Sequence, residues 1–127
     1  MLIINNGQLL IEFQNLLQNG YIHVFIWSVL LDIGSGLIKG FVIKDSNSTR
    51  GLLGIVKHLL IVVLVLVAVP YLNIAGFQEV ANWFVLFYIA AYGISIVENW
   101  GQLGLPLPQF VKDTLTKLKD DSDKASK

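Results

Sequence analysis

Cysteine is absent from the 127 residues, which excludes a disulfide framework, a thiolate nucleophile and a palmitoylation site. No Lys or Arg precedes Lys39, so the basic start that a secretory signal peptide needs is missing. Charge is scarce throughout. Charged residues make up 14% of the chain against 54% hydrophobic, where a soluble domain carries about a quarter charged, so a compact soluble fold is not expected. The two histidines, His23 and His58, fall in different segments and with scattered carboxylates give no metal-ligand spacing. No serine has a nucleophile context and no glycine-rich phosphate loop follows a strand. The sequence therefore predicts no catalytic, cofactor or metal residues and no enzyme. The five basic residues from Lys112 onward alternate with four acids, which makes no nucleic-acid patch.

What is present is apolar sequence in long blocks, the pattern of membrane spans. Residues 21–43 read YIHVFIWSVLLDIGSGLIKGFVI, long enough to cross a bilayer yet carrying Asp32 near the middle. A carboxylate there costs roughly 2.5 to 3.5 kcal/mol on insertion scales, so it needs a partner, a proton or water. Ser28, Asp32, Ser35, Gly36, Lys39 and Gly40 are placed on one side of this helix by spacings of three and four or by adjacency to such a position. Phe25, Ile26, Val29, Leu30, Ile33, Leu37 and Phe41 are taken as the opposite face, which suits lipid. The polar side is expected to meet other helices or water.

Before this span, residues 5–19 alternate Leu9, Leu10, Phe13, Leu16 and Leu17 with Gln8, Glu12, Asn15 and Asn19. They predict an amphipathic helix stopped by Gly20, either lying in the membrane interface or packed on the other helices. After it, KDSNSTRG favours a turn. A second span follows over about 52–71, with Lys57 and His58 in its first third and Pro70 expected to terminate it. A third runs over about 80–97, where Tyr88, Ala91, Tyr92, Ser95 and Glu98 form a small or polar side of the kind that packs on a neighbouring helix. Gly101, Gly104, Pro106 and Pro108 then break the pattern, leaving a short amphipathic piece over 110–118 and a polar tail too hydrophilic to fold alone.

The fold class predicted is an all-α integral membrane protein. Its parts are an N-terminal interfacial amphipathic helix at 1–20, a transmembrane region of about three helices at 21–109, and a charged cytoplasmic tail at 110–127. Two spans with a re-entrant third segment is the topological alternative. The loop with Lys44 and Arg50 shares a side with the basic tail, which makes that side cytoplasmic and puts the N-terminus outside. Tyr21, Tyr71 and Trp83 then fall at the outer boundary and Trp100 at the inner one. Depth along the helices, about 1.5 Å per residue, makes Lys57 the residue able to reach Asp32 or Glu98. Lys57 and Glu98 are thus the expected charge partners inside the membrane. The competing expectation is that Lys39 and Lys57 extend to the cytoplasmic surface and Glu98 faces water there.

The order of features is more specific than any one of them. WSVLLDIGSGLIKG in the first span, SNSTRGLLGIVKH entering the second and SIVENWGQLGLPLP closing the third, followed by a charged tail, resemble the toxin-secretion and phage-lysis holin family of Gram-positive bacteria and their phages. The similarity covers about residues 20–118 and rests on Asp32 with Gly36, on 46–57, and on Glu98 and Asn99 with Gly101 or Gly104, Pro106 and Pro108. It implies a small protein of the bacterial cytoplasmic membrane that forms homo-oligomers among the lipids and opens lesions. Through these an endolysin, a functional partner without required direct binding, or a toxin would cross. The rival expectation is a small membrane scaffold or transporter subunit, with Asp32 and Lys57 as a fixed pair.

Overall fold

The computed structural model describes residues 3–44 and 48–125; the expected turn at 45–47 lies outside them. The described residues are helical with no strand: α1 (Asn6–Asn15), a 3-10 turn (Leu16–Gln18), α2 (Gly20–Ile43), α3 (Ser48–Ile74), α4 (Gln78–Gln102) and α5 (Gln109–Ala125). Three helices, Gly20–Ile43, Gly51–Ile74 and Gln78–Gln102, are long and apolar enough to cross a membrane. At about 1.5 Å per residue each reaches roughly 36 Å, more than the 30 Å hydrocarbon core.

Local chemistry sets the boundaries, and in several places it moves them from the sequence expectation. Gly20 opens α2 and does not stop α1. Asn19 is extended (ψ 114°) and its side chain accepts from the Tyr21 and Ile22 amides at 2.9 and 3.4 Å, which makes it an N-cap. Asn5 does the same for α1, accepting from Gly7 and Gln8 at 2.9 and 3.2 Å. Pro70 lies inside α3 and is buried. It forfeits one backbone hydrogen bond, yet the helix resumes, with the Ala75 amide donating to the Tyr71 carbonyl at 3.0 Å. Packing against the neighbouring helices makes an interior proline tolerable in a span. The final helix also continues to Ala125, past the point where the polar tail was expected to lose structure.

The ends of α3 and α4 are built alike. Gly76 (φ +87°) donates to Asn73 and Phe77 to Leu72; Gly104 (φ +78°) donates to Gly101 and Leu105 to Trp100. Both are left-handed glycine caps that satisfy the last helical carbonyls, and the second explains why α4 runs on through Gly101. Gly76→Ala should destabilise the detergent-solubilised protein by about 1 to 2 kcal/mol, because an L side chain is strained in that conformation. Gly20→Ala meets open space on a helical backbone and should be neutral or stabilising by under about 1 kcal/mol. Thermal denaturation of the two variants checks the contrast; equal shifts would remove the cap as the cause.

Packing is most extensive between α2 and α4, smaller between α3 and α4, and sparse between α2 and α3. Ile22, Phe25, Val29, Val65, Val69, Ala81, Val85 and Tyr92 form the core. Phe25 is fully buried and meets Tyr88 and Tyr92 edge-on, with ring centroids 6.3 and 6.1 Å apart. Phe25 and Val29 were assigned to the lipid side, and the structure buries both. They stand seven and three residues before Asp32, and at about 100° per residue this keeps them on its side of the helix. Leu30, Leu37 and Phe41 are exposed as expected. The N-terminal helix packs along α3, where Asn73 donates to the Glu12 carboxylate at 3.1 Å.

Candidate functional site

At the middle of α2 the chain buries a carboxyl group. Asp32 is 7% exposed, on a helix whose surroundings are otherwise apolar, and the side chains that receive it come from the other two spans. From α4, Ser95 donates to Oδ1 at 2.5 Å and Asn99 Nδ2 donates to the same oxygen at 3.2 Å. Asn99, itself 7% exposed, also donates to Ser35 Oγ at 3.0 Å. Ser35 Oγ in turn donates to the Asp32 carbonyl at 3.2 Å. From α3, His58 Nε2 stands 3.8 Å from Oδ2, too far for a hydrogen bond. His58 Nδ1 is 2.7 Å from the Tyr92 hydroxyl. With the Tyr92 O–H donating to Nδ1, the ring proton sits on Nε2 and faces the carboxylate.

This network accounts for a carboxylate at mid-span. A hydrogen bond to a charged group contributes about 1.5 to 3 kcal/mol, so the two donors from α4 together match an insertion cost of roughly 2.5 to 3.5 kcal/mol. Tyr92, Ser95 and Asn99 follow one another at spacings of three and four, which lines them along one side of α4 facing α2. The polar bonds therefore also fix the register of the α2–α4 pair.

The residues expected from sequence divide. Asp32 and Ser35 join the network, and Gly36 lies beside Asn99, where a Cβ would stand 3.7 Å from Nδ2. Lys39 and Gly40 are half-exposed about one turn beyond Gly36. Ser28 donates to its own helix, to the Val24 carbonyl at 2.8 Å. Lys57 and Glu98 are exposed, and among the described residues the group brought to Asp32 is His58 and not Lys57, and Asn99 and not Glu98. Each replacement is one position along its helix. A shift of one residue turns a side chain by about 100°, enough to move it from a helix contact to the outside. His58, Tyr92 and Ser95 were visible in the sequence as polar residues in spans; Asn99 was visible only as part of the motif after the third span.

Between α2 and α3 the sparse packing leaves an open cleft of about 270 Å³. Gly36, Gly51 and Gly54 supply its small surfaces, and Asp32, His58 and Asn99 supply its polar end. The cleft is thus a glycine-walled groove with a carboxylate at its base.

The bacteriophage holin family matches residues 13–120, a range that contains all three spans and the whole Asp32 network. A probable holin of Bacillus phage phi105 is 33% identical over 104 residues, covering 81% of this chain and 77% of that protein. An uncharacterised protein of Halalkalibacterium halodurans is 36% identical over 107 residues, covering 80% and 79%. An uncharacterised protein of Clostridium perfringens is 38% identical over 97 residues, covering 75% and 72%. No solved structure matches the chain.

Proposed function

Because the chain belongs to the bacteriophage holin family, we propose that it accumulates in the cytoplasmic membrane of a bacterial host, self-associates and opens lesions through which an endolysin reaches the cell wall. The observation that carries this reading is Asp32, a mid-span carboxylate at the base of an open cleft. A charge that only stabilised one subunit needs no opening beside it. The side of α2 bearing Ser28, Asp32, Ser35, Gly36, Lys39 and Gly40 is the one through which copies associate and which turns to water as the lesion opens. Small residues allow close helix approach, and the polar groups find water once enough copies assemble. The proposed role is non-enzymatic and needs no direct contact with the endolysin.

A second reading, a membrane scaffold or transporter subunit, is favoured by one fact: Ser95 and Asn99 already satisfy one oxygen of Asp32 inside the subunit. Inducible expression in a bacterium, with membrane potential followed over time, separates the two. A lesion former should collapse the potential abruptly after a delay, and should lyse the culture only when an endolysin is co-expressed. Growth with an unchanged potential at high membrane levels would remove the proposal and leave the scaffold.

The orientation we infer places the N-terminus outside and the tail inside, supported by the basic residues at Lys44, Arg50 and from Lys112 onward. Single cysteines are clean probes in a chain that has none. Before any lesion forms, an impermeant thiol reagent should label Asn6→Cys in intact cells and spare Ser46→Cys and Ser122→Cys. The reverse pattern would invert the topology.

A further inference from the structure

Resting on the self-association proposed above, we infer that the glycine-walled cleft between α2 and α3 receives α3 of a second copy of this chain, with Lys57 of that copy pairing with Asp32 in the closed cluster.

Two ionisable groups of the spans lack a full set of partners among the described residues. Oδ1 of Asp32 accepts from Ser95 and Asn99, while Oδ2 has only the distant His58 Nε2 at 3.8 Å, and Asp32 lines the cleft. Among the described residues no hydrogen bond reaches Oδ2. Lys57, for its part, is exposed on a span between Val56 and His58, on a side of α3 shared with the exposed Leu53, Leu60 and Leu64. Among the described residues no carboxylate lies within ion-pair distance of it. An ammonium among leucines and an under-coordinated carboxylate in a groove are complementary.

One subunit cannot join them in this fold. Gly51, Gly54, Ile55 and His58 turn toward the cleft, and Lys57 stands about 110° around the helix from their mean direction, taking about 100° per residue. Two copies can. Lys57 adjoins His58 in sequence, and His58 is the residue beside Oδ2, so the Cα atoms of the two residues differ in depth by only about 1.5 Å along the axis, well within the reach of the lysine stem. Copies inserted in the same orientation keep that depth under rotation about the membrane normal. Gly36, Gly51 and Gly54 allow the incoming helix close approach. Because giver and receiver are different faces of one subunit, the contact is head-to-tail, and such contacts close into rings or grow as open arcs.

Co-expression of two differently tagged chains tests it, one carrying Leu37→Cys on the cleft wall and the other Leu53→Cys on the Lys57 side. Mild oxidation of the membranes should give the cross-linked pair of unlike chains, and little product from either chain alone. Adding Lys57→Gln to the Leu53→Cys chain should lower that product about tenfold or more, since it leaves a buried carboxylate without its partner. Lys57→Arg should retain it. An undiminished yield with Lys57→Gln, or like-with-like products of equal yield, would overturn the contact, as would no unlike product with both chains present in the membrane. The readout is independent of lysis. Cross-linking without lysis would keep the contact and remove the lesion-forming role, and lysis without cross-linking would do the opposite.

Discussion

Asp32→Leu should reach the membrane in at least normal amount and open no lesions. Insertion is the easy half, because the substitution removes a cost of roughly 2.5 to 3.5 kcal/mol. The loss comes afterwards. Ser95 and Asn99 lose the oxygen to which both donate, so the register of α2 on α4 is no longer held, and the cleft loses its only carboxylate among the described lining residues. Asp32→Asn separates these effects. Its side-chain oxygen can still accept from Ser95 and Asn99, so the subunit should stay folded, yet the charge is gone and lesions should still fail to form. Leu30→Ala, at an exposed apolar position outside the Asp32 network, should lyse normally. Full lysis by Asp32→Asn would mean that hydrogen bonding within the subunit is all that Asp32 provides.

A second large effect is expected at Asn99 and not at its neighbour Glu98. Asn99→Leu removes both the bond to Asp32 and the bond to Ser35, in a position that is 7% exposed. Polar bonds between membrane helices average only about 0.6 kcal/mol, but a bond to a buried charge contributes about 1.5 to 3 kcal/mol. The larger figure applies while Asp32 is ionised, so a destabilisation of about 2 kcal/mol is expected in thermal denaturation of the detergent-solubilised protein. Glu98→Gln alters an exposed side chain and should stay within about 0.5 kcal/mol. Comparable losses at 98 and 99 would place the α2–α4 contact on a different side of α4.

The three long apolar helices, the amphipathic first helix and the unusual setting of Asp32 were legible in the sequence because each depends on composition over many residues. Asp32 was conspicuous for being costly where it stands. Its partners were not legible, because choosing His58 over Lys57 and Asn99 over Glu98 requires the rotation of each helix to within less than one residue. Charge made Lys57 and Glu98 the prominent candidates, whereas burial selected the neutral donor Asn99 and a histidine that bonds Tyr92. The helix ends were misplaced for a local reason: Asn19 as a cap, Pro70 inside α3 and Gly104 as the true stop of α4 are decided by hydrogen bonds of single residues. Phe25 and Val29 were set against lipid although they share the side of Asp32. Their apolar character was read ahead of their spacing.

Under the proposed function, the chain by itself opens lesions large enough to pass a folded protein. Purified protein added to vesicles that hold a small dye together with a fluorescently labelled endolysin tests it most directly. Release of both, with neither released by the Asp32→Leu variant, is the predicted result. Retention of the endolysin while the dye escapes, or retention of both with the protein inserted, would contradict it.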